Sequence, residues 1–365
     1  MTQAPLAETI RKQIAINGPL SVAHYMSLCL LDPKHGYYTQ ATPFGAQGDF
    51  ITAPEISQLF GEIIGAWLIN AWHVLGKPAP FLLVEAGPGR GTLMRDIART
   101  ARLDAAFRAA ADLILIEASP KLRAVQEQTL QDAAIEARWL SDLDQLPDLP
   151  CMMVSNEFFD ALPIRQFVKH RDQWLERVVG LGEDNQLQWQ TGTASLSPAS
   201  LPATAGTVDD GAIFEVSTAR EAVVAAMAAH IAKNGGIGLH FDYGHATSAP
   251  GDTFQAVHRH AFVDPLDTPG QADLTSHVDF EALARSAKRQ GVHPYALMDQ
   301  GDFLLRCGLL ERAGQLGDQK PVTVQQQITA DVKRLAGDGP DDMGELFKAF
   351  CFAHEKVGAL PPFAA

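Results

Sequence analysis

The sequence predicts a doubly wound α/β fold with a mostly parallel sheet, on three observations. From Pro80 onward, short apolar runs alternate with helical segments. The first of these runs ends in a glycine-rich turn, Glu85-Ala86-Gly87-Pro88-Gly89-Arg90-Gly91-Thr92. Later runs end in, or are closely followed by, acidic residues: Glu117, Asp142 and Glu157. Strands separated by helices imply βαβ units. Right-handed crossovers then gather the loops after the strands along one edge, where open sheets of this kind bind ligands.

Taken in order, the strand candidates are residues 81–85, 112–117, 138–140 and 151–155, with helical spacing over 92–102 and 120–131 between them. Ahead of them, 9–16 and 20–31 carry helical spacing and are separated by the breaker Asn17-Gly18-Pro19. The stretch 32–49 holds Pro33, Gly36, Pro43, Gly45 and Gly48 and is expected to be irregular. A helix is expected over 54–74, with Pro54 in its first turn and Glu55 favouring its start. Beyond the fourth strand, 164–190 alternates and suggests antiparallel strands, and 191–211 reads as a surface loop. A helix over 218–233, stopped by Asn234-Gly235-Gly236, leads into a buried strand at 237–241. A helix over 278–290, ended by Gly291, leads to 293–298 as the last strand. The expected organisation is a helical N-terminal cap or substrate region over 1–75 and a core over 76–365. Accessory segments interrupt that core at about 164–211 and 246–278.

Composition narrows the class. In 365 residues, 46% are hydrophobic and 20% charged, as in an ordinary globular enzyme. The longest apolar stretch, 63–75, is interrupted by Asn70 and His73, so no membrane insertion is expected. The N-terminus has no basic-then-apolar block, and Cys29, Cys151, Cys307 and Cys351 lie far apart. Both point to a reduced, cytoplasmic chain. A net charge of −14 disfavours a nonspecific grip on nucleic acid, because phosphates are repelled on average.

The glycine turn is the central chemical signal. A dinucleotide fingerprint, G-x-G-x-x-G, needs glycine at position 92, where this chain has Thr92; its third glycine is Gly91. An acid two places before the first glycine, followed by G-x-G-x-G, resembles the first motif of class I S-adenosylmethionine methyltransferases. The alternative is a bare turn joining strand to helix. That resemblance implies a cofactor site of Glu85, Gly87, Pro88, Gly89, Gly91 and Thr92. It also implies that Glu117 accepts hydrogen bonds from both ribose hydroxyls, and that Asp142 faces the adenine amine unless it is a plain surface aspartate.

The fourth strand runs into Asn156-Glu157-Phe158-Phe159-Asp160, at the edge where a methyl group would be delivered. Asn156 is expected at the cofactor. Glu157 and Asp160, beside two phenylalanines, suit a guanidinium, which stays protonated and needs carboxylates to fix its fork and take a proton. Asp160 as the cap of a turn is an equal reading. Asp242, after the 237–241 strand, is a further candidate to hold a substrate cation. His240, His245, His258 and His260 show no metal-ligand spacing, so no metal is expected.

The blocks GDFITAPEISQLFGE (48–62), VEAGPGRGTL, SNEFFDALPIRQF, FDYG (241–244), ADLTSHVDF (272–280) and MDQGDFLL (298–305) together resemble one family. It is the methyltransferase family of the mitochondrial complex I assembly factor. The resemblance implies a class I, Rossmann-like fold with a helical N-terminal part, S-adenosylmethionine as cofactor, and methylation of protein arginine. In mitochondria it implies the quinone-proximal hydrophilic subunit of complex I as target. It further implies that the loop around Gly48-Asp49-Phe50-Ile51-Thr52 folds over the cofactor, with Asp49 or Thr52 at its methionine part. Thr52 as the cap of the Pro54 helix is the bland alternative. For the whole protein the alternatives are a small-molecule methyltransferase and an assembly chaperone that binds the cofactor for stability.

Overall fold

The computed structural model describes residues 5–40 and 51–363. The chain's contacts fall into two units. One draws on Met1–Phe50, Phe159–Ala222 and His245–Glu281, the other on Ile51–Phe158, Val223–Gly244 and Ala282–Ala365. The division therefore falls at 50/51, and the helix expected in an N-terminal region with residues 1–50 packs in the second unit.

That second unit is built around a sheet. Its elements are α1 (Gln58–Val74), β1 (Phe81–Ala86), α2 (Thr92–Thr100), β2 (Ala111–Ile116), α3 (Pro120–Asp132), β3 (Arg138–Leu140) and β4 (Cys151–Asn156). There follow α4 (Thr218–Asn234, which crosses the division), β5 (Gly236–His245), β6 (Val292–Pro294), β7 (Met298–Asp299) and β8 (Phe347–His354). The strand order is β3-β2-β1-β4-β5-β8-β6, with β7 also beside β8. The first five pair in parallel, while β8 runs antiparallel to β5, β6 and β7. The order reverses between β1 and β4, which makes the crevice outside their carboxyl ends the switch point where such sheets take ligands.

Residues of β1 and β4 are buried on both faces. Such strands need helices above and below, and read as continuous apolar runs. On one face, Phe60, Ile64, Leu68 and Trp72 of α1 join Met94 and Ile97 of α2 in a single core with Leu83, Val154, Leu239 and Phe303. Burying a side chain of this size contributes about 1.5–3 kcal/mol relative to exposure.

Three expectations need correction here. The 54–74 helix is broken at Ser57, whose φ of −156° is extended; Ala53–Ile56 is a separate turn, and the Ser57 hydroxyl accepts from Leu59 N to start α1. The region 293–298 is two short strands, β6 and β7. The last strand is β8, which none of the sequence patterns singled out; its interior is buried on both faces, so it shows no alternation.

The other unit has helices Pro5–Asn17 and Val22–Leu31 and an antiparallel sheet ordered Leu20–Ser21, Gln173–Leu181, Arg165–His170, Ile213–Val216. The strand Leu187–Ser195 also pairs with Gln173–Leu181 and reaches into the stretch read as loop. Gln255–His258 is flanked by Ala261–Val263 and Asp273–Thr275 in a second small sheet. Among the described residues, no helix is long and apolar enough to cross a membrane.

Candidate active site

Because β1 to β4 run parallel, the loops after them share one edge of the second unit's sheet. The loop after β1 turns three times through the left-handed region, with φ of 64° at Gly87, 53° at Gly89 and 81° at Gly91. Glycine is the residue that takes this conformation without a Cβ penalty. At Gly87 it also makes room: a Cβ there would lie 2.6 Å from the Phe158 ring. The loop after β1 and the turn after β4 are thus in direct contact. Pro88 O accepts from Gly91 N at 2.7 Å and closes the turn. Gly91 then stands at the N-cap of α2, whose first amides favour an electronegative ligand.

Glu55, which the sequence reading took only as an acid at a helix start, braces this loop. Its Oε1 accepts from the Thr92 hydroxyl at 2.5 Å, and its Oε2 lies 3.5 Å from the Arg90 guanidinium. Thr52 is buried at the N-cap of Ala53–Ile56, but its side chain makes no capping bond. The reading of its hydroxyl as a cap is therefore corrected. Asp49 lies outside the described residues.

Glu85, at the end of β1, is 2% exposed, and its Oε2 has no hydrogen-bond partner among the described residues. Burial pushes its carboxyl up to about 8, only partly opposed by the backbone of Met94. Asn156 Oδ1, at the end of β4, is likewise buried without a donor. Orphaned acceptors of this kind are uncommon and mark places where a ligand or water completes the bonding. A glycine cradle beside acceptors that lack donors fits a ligand bearing hydroxyl and ammonium groups, as S-adenosylmethionine does.

Glu117, at the end of β2, is half-buried and fully engaged on its protein side. Oε1 accepts from Ser119 N at 2.7 Å and Oε2 from Gln126 Nε2 at 3.1 Å. Burial raises its pKa, and these bonds offset only part of the rise. Asp142, after β3, is exposed, with Oδ1 accepting from Asp144 N at 3.4 Å to cap a short 3₁₀ turn.

After β4 the chain turns through Glu157 at φ 50°, a conformation uncommon for a residue with a Cβ and found where surrounding bonds enforce it. Here Glu157 N donates to Phe241 O at 2.9 Å, and Glu157 Oε1 accepts from Asn156 Nδ2 at 2.9 Å and Ala53 N at 3.4 Å. Asp242, with no exposed surface, accepts from Phe158 N at 3.1 Å and Tyr243 N at 2.9 Å. Asn156, Glu157 and Asp242 are thereby brought together. Asp160 belongs to the other unit. Its Oδ1 accepts from Ala161 N at 2.9 Å, and its carbonyl accepts from Arg220 Nη2 at 2.9 Å and Ser276 N at 3.2 Å. Of the histidines, His240 is buried in the sheet, 2.8 Å from the Ser155 hydroxyl and stacked on Phe352.

Residues 63–298 match a family model described as an S-adenosyl-L-methionine-dependent methyltransferase. The protein arginine methyltransferase NDUFAF7 homolog of Drosophila melanogaster, a mitochondrial protein, is 35% identical over 373 residues, covering 94% of this chain and 83% of that one. The Homo sapiens protein arginine methyltransferase NDUFAF7 is 34% identical over 379 residues, covering 97% and 84%. A crystal structure from Burkholderia thailandensis bound to S-adenosyl-homocysteine superposes with a TM-score of 0.86 at 27% identity, covering 97% of this chain and 93% of that one.

Proposed function

The chain belongs to the S-adenosyl-L-methionine-dependent methyltransferase family, and from that premise we propose that it methylates arginine in a protein substrate. The observation that carries the arginine reading is Glu157: a carboxylate held in a strained turn, next to the orphaned Asn156 oxygen and followed by Phe158, whose ring packs against Gly87 of the glycine loop. Glu117 receives the ribose hydroxyls and Asp142 the adenine amine. Glu85, Asn156, Thr52 and the turn Gly87, Pro88, Gly89, Gly91 and Thr92 hold the rest of the cofactor. The bound cofactor supplies an electrophilic methyl group on a sulfonium.

A guanidinium remains charged at neutral pH, so its nitrogens are poor nucleophiles until one is aimed and its proton has somewhere to go. Glu157 orients the fork and takes that proton as the new N–C bond forms. Asp242 accepts from the Phe158 and Tyr243 amides and so pins the turn that carries Glu157; the remaining lone pairs of its carboxylate make it the further candidate for the substrate cation.

The arginine methyltransferase relatives support a protein substrate. A respiratory complex I subunit is the one the family resemblance suggests. Labelled methyl transfer to an arginine-containing peptide and to such a subunit, followed by mass spectrometry of the modified residue, tests this. Methylarginine is expected. Label on lysine, on a carboxylate, or only on small molecules would overturn the arginine reading.

A further inference from the structure

We propose that Gln126, aligned by Trp139, is a positioning residue that turns the Glu117 carboxylate toward the cofactor's ribose. The inference rests on the ribose reading of Glu117. Gln126 lies on α3 with no exposed surface. Its amide nitrogen donates to Gly89 O at 2.9 Å and to Glu117 Oε2 at 3.1 Å, and its oxygen accepts from the Trp139 indole at 2.9 Å. One side chain thus ties together the loop after β1, the end of β2 and the middle of β3.

The direction of the amide matters. An indole nitrogen can only donate, so it must face the amide oxygen, and that leaves both amide protons for Gly89 and Glu117. Glu117 is then held once on each oxygen, by Ser119 N and by Gln126 Nε2, which fixes the plane of the carboxylate. Each oxygen retains a further lone pair for a hydroxyl. A leucine would fill the same space on α3 without desolvating an amide. A buried amide is stable here because three bonds compensate it. The helix also approaches the glycine loop closely: a Cβ at Gly91 would be 3.5 Å from Gln126 Cα.

The test measures calorimetric binding of S-adenosylhomocysteine and its 2′-deoxyribose analogue to the whole chain, wild type and variants. The wild type should prefer the natural ribose by roughly tenfold, the worth of a hydrogen bond to a charged group. Gln126→Leu should weaken S-adenosylhomocysteine by about tenfold and shrink that preference to below about threefold. In turnover the loss should appear in KM for the cofactor and not in kcat. Trp139→Phe keeps the ring shape and removes the donor. It should move the preference the same way by a smaller factor, and it carries the test if Gln126→Leu does not fold. Equal weakening of both ligands, or unchanged affinity, would reduce Gln126 to packing and overturn the proposal. Glu117→Ala separates the two readings. If it keeps the full preference, the ribose role of Glu117 fails; if it abolishes the preference while Gln126→Leu does not, only the positioning role fails.

Discussion

The flank and the centre of the sheet's ligand edge are built on opposite terms. At the flank, after β2, Glu117 has a protein donor on each oxygen. At the centre, where β1 and β4 are neighbours, Glu85 and Asn156 each keep a buried oxygen without a donor, and Glu157 holds a φ of 50°. An unsatisfied buried acceptor costs about 1–3 kcal/mol, and a residue held at positive φ about as much again. The flank is finished before a ligand arrives, which suits a handle that only binds. The centre holds unfavourable energy that a ligand's donors can offset, which suits the place where a group is transferred.

The comparison breaks first at Glu157. Replacing it with glutamine keeps the shape and the bonds from Ala53 and Asn156 within reach, and removes the negative charge. Cofactor affinity should survive while methyl transfer falls by at least ~10²-fold, the usual loss for a positioned acid-base group. Wild-type turnover in Glu157→Gln, measured with labelled cofactor, would move the chemistry elsewhere on the edge.

Glu85 sharpens it through pH. Burial lifts this carboxyl from its ordinary 4.5 to about 8 in the folded chain. Between those values the folded protein keeps a proton that the unfolded chain has released. Stability must therefore fall as pH rises through that window and level off above it, with a slope of at most about 1.4 kcal/mol per pH unit. Glu85→Gln mimics the protonated form. Denaturant unfolding of cofactor-free protein should show the variant matching the wild type near pH 5 and gaining on it steadily toward pH 8. A gap that stays constant across the range would mean that Glu85 is not the group responsible.

The same contrast runs through what the sequence made legible. The parallel strands β1 to β5 were readable because each is a short apolar run bounded by glycine, proline or an acid, and the two signals agree. The glycine loop was readable because its spacing is local. Strand β8 was not: FKAFCFAH is buried on both faces and lacks the alternation that separates strand from helix. Ser57 interrupts a helical pattern that continues on either side of it, so nothing in the periodicity marks the break. Glu55 and Gln126 escaped notice for a different reason. Each meets its glycine-loop partner 37 positions away in the chain, Thr92 for Glu55 and Gly89 for Gln126, and such pairs exist only once the sheet has brought the loops together.

The smallest effect belongs to Asp142, where the two readings of one side chain can be separated. It is exposed and caps a 3₁₀ turn through a 3.4 Å bond to Asp144 N, a long bond that leaves most of its acceptor capacity open. If it also takes the adenine amine, Asp142→Ala should weaken S-adenosylhomocysteine by about 2- to 10-fold, the net worth of one hydrogen bond. It should leave an analogue with a carbonyl in place of that amine unaffected. The cap predicts something else: losing it costs about 0.5–2 kcal/mol of local stability and disturbs both ligands alike, because the turn carries the loop and not one atom of the base. Paired titrations of the two ligands therefore decide the matter. A selective loss places Asp142 at the adenine as a second handle on the flank, and an equal loss leaves Glu117 as the flank's one ligand carboxylate.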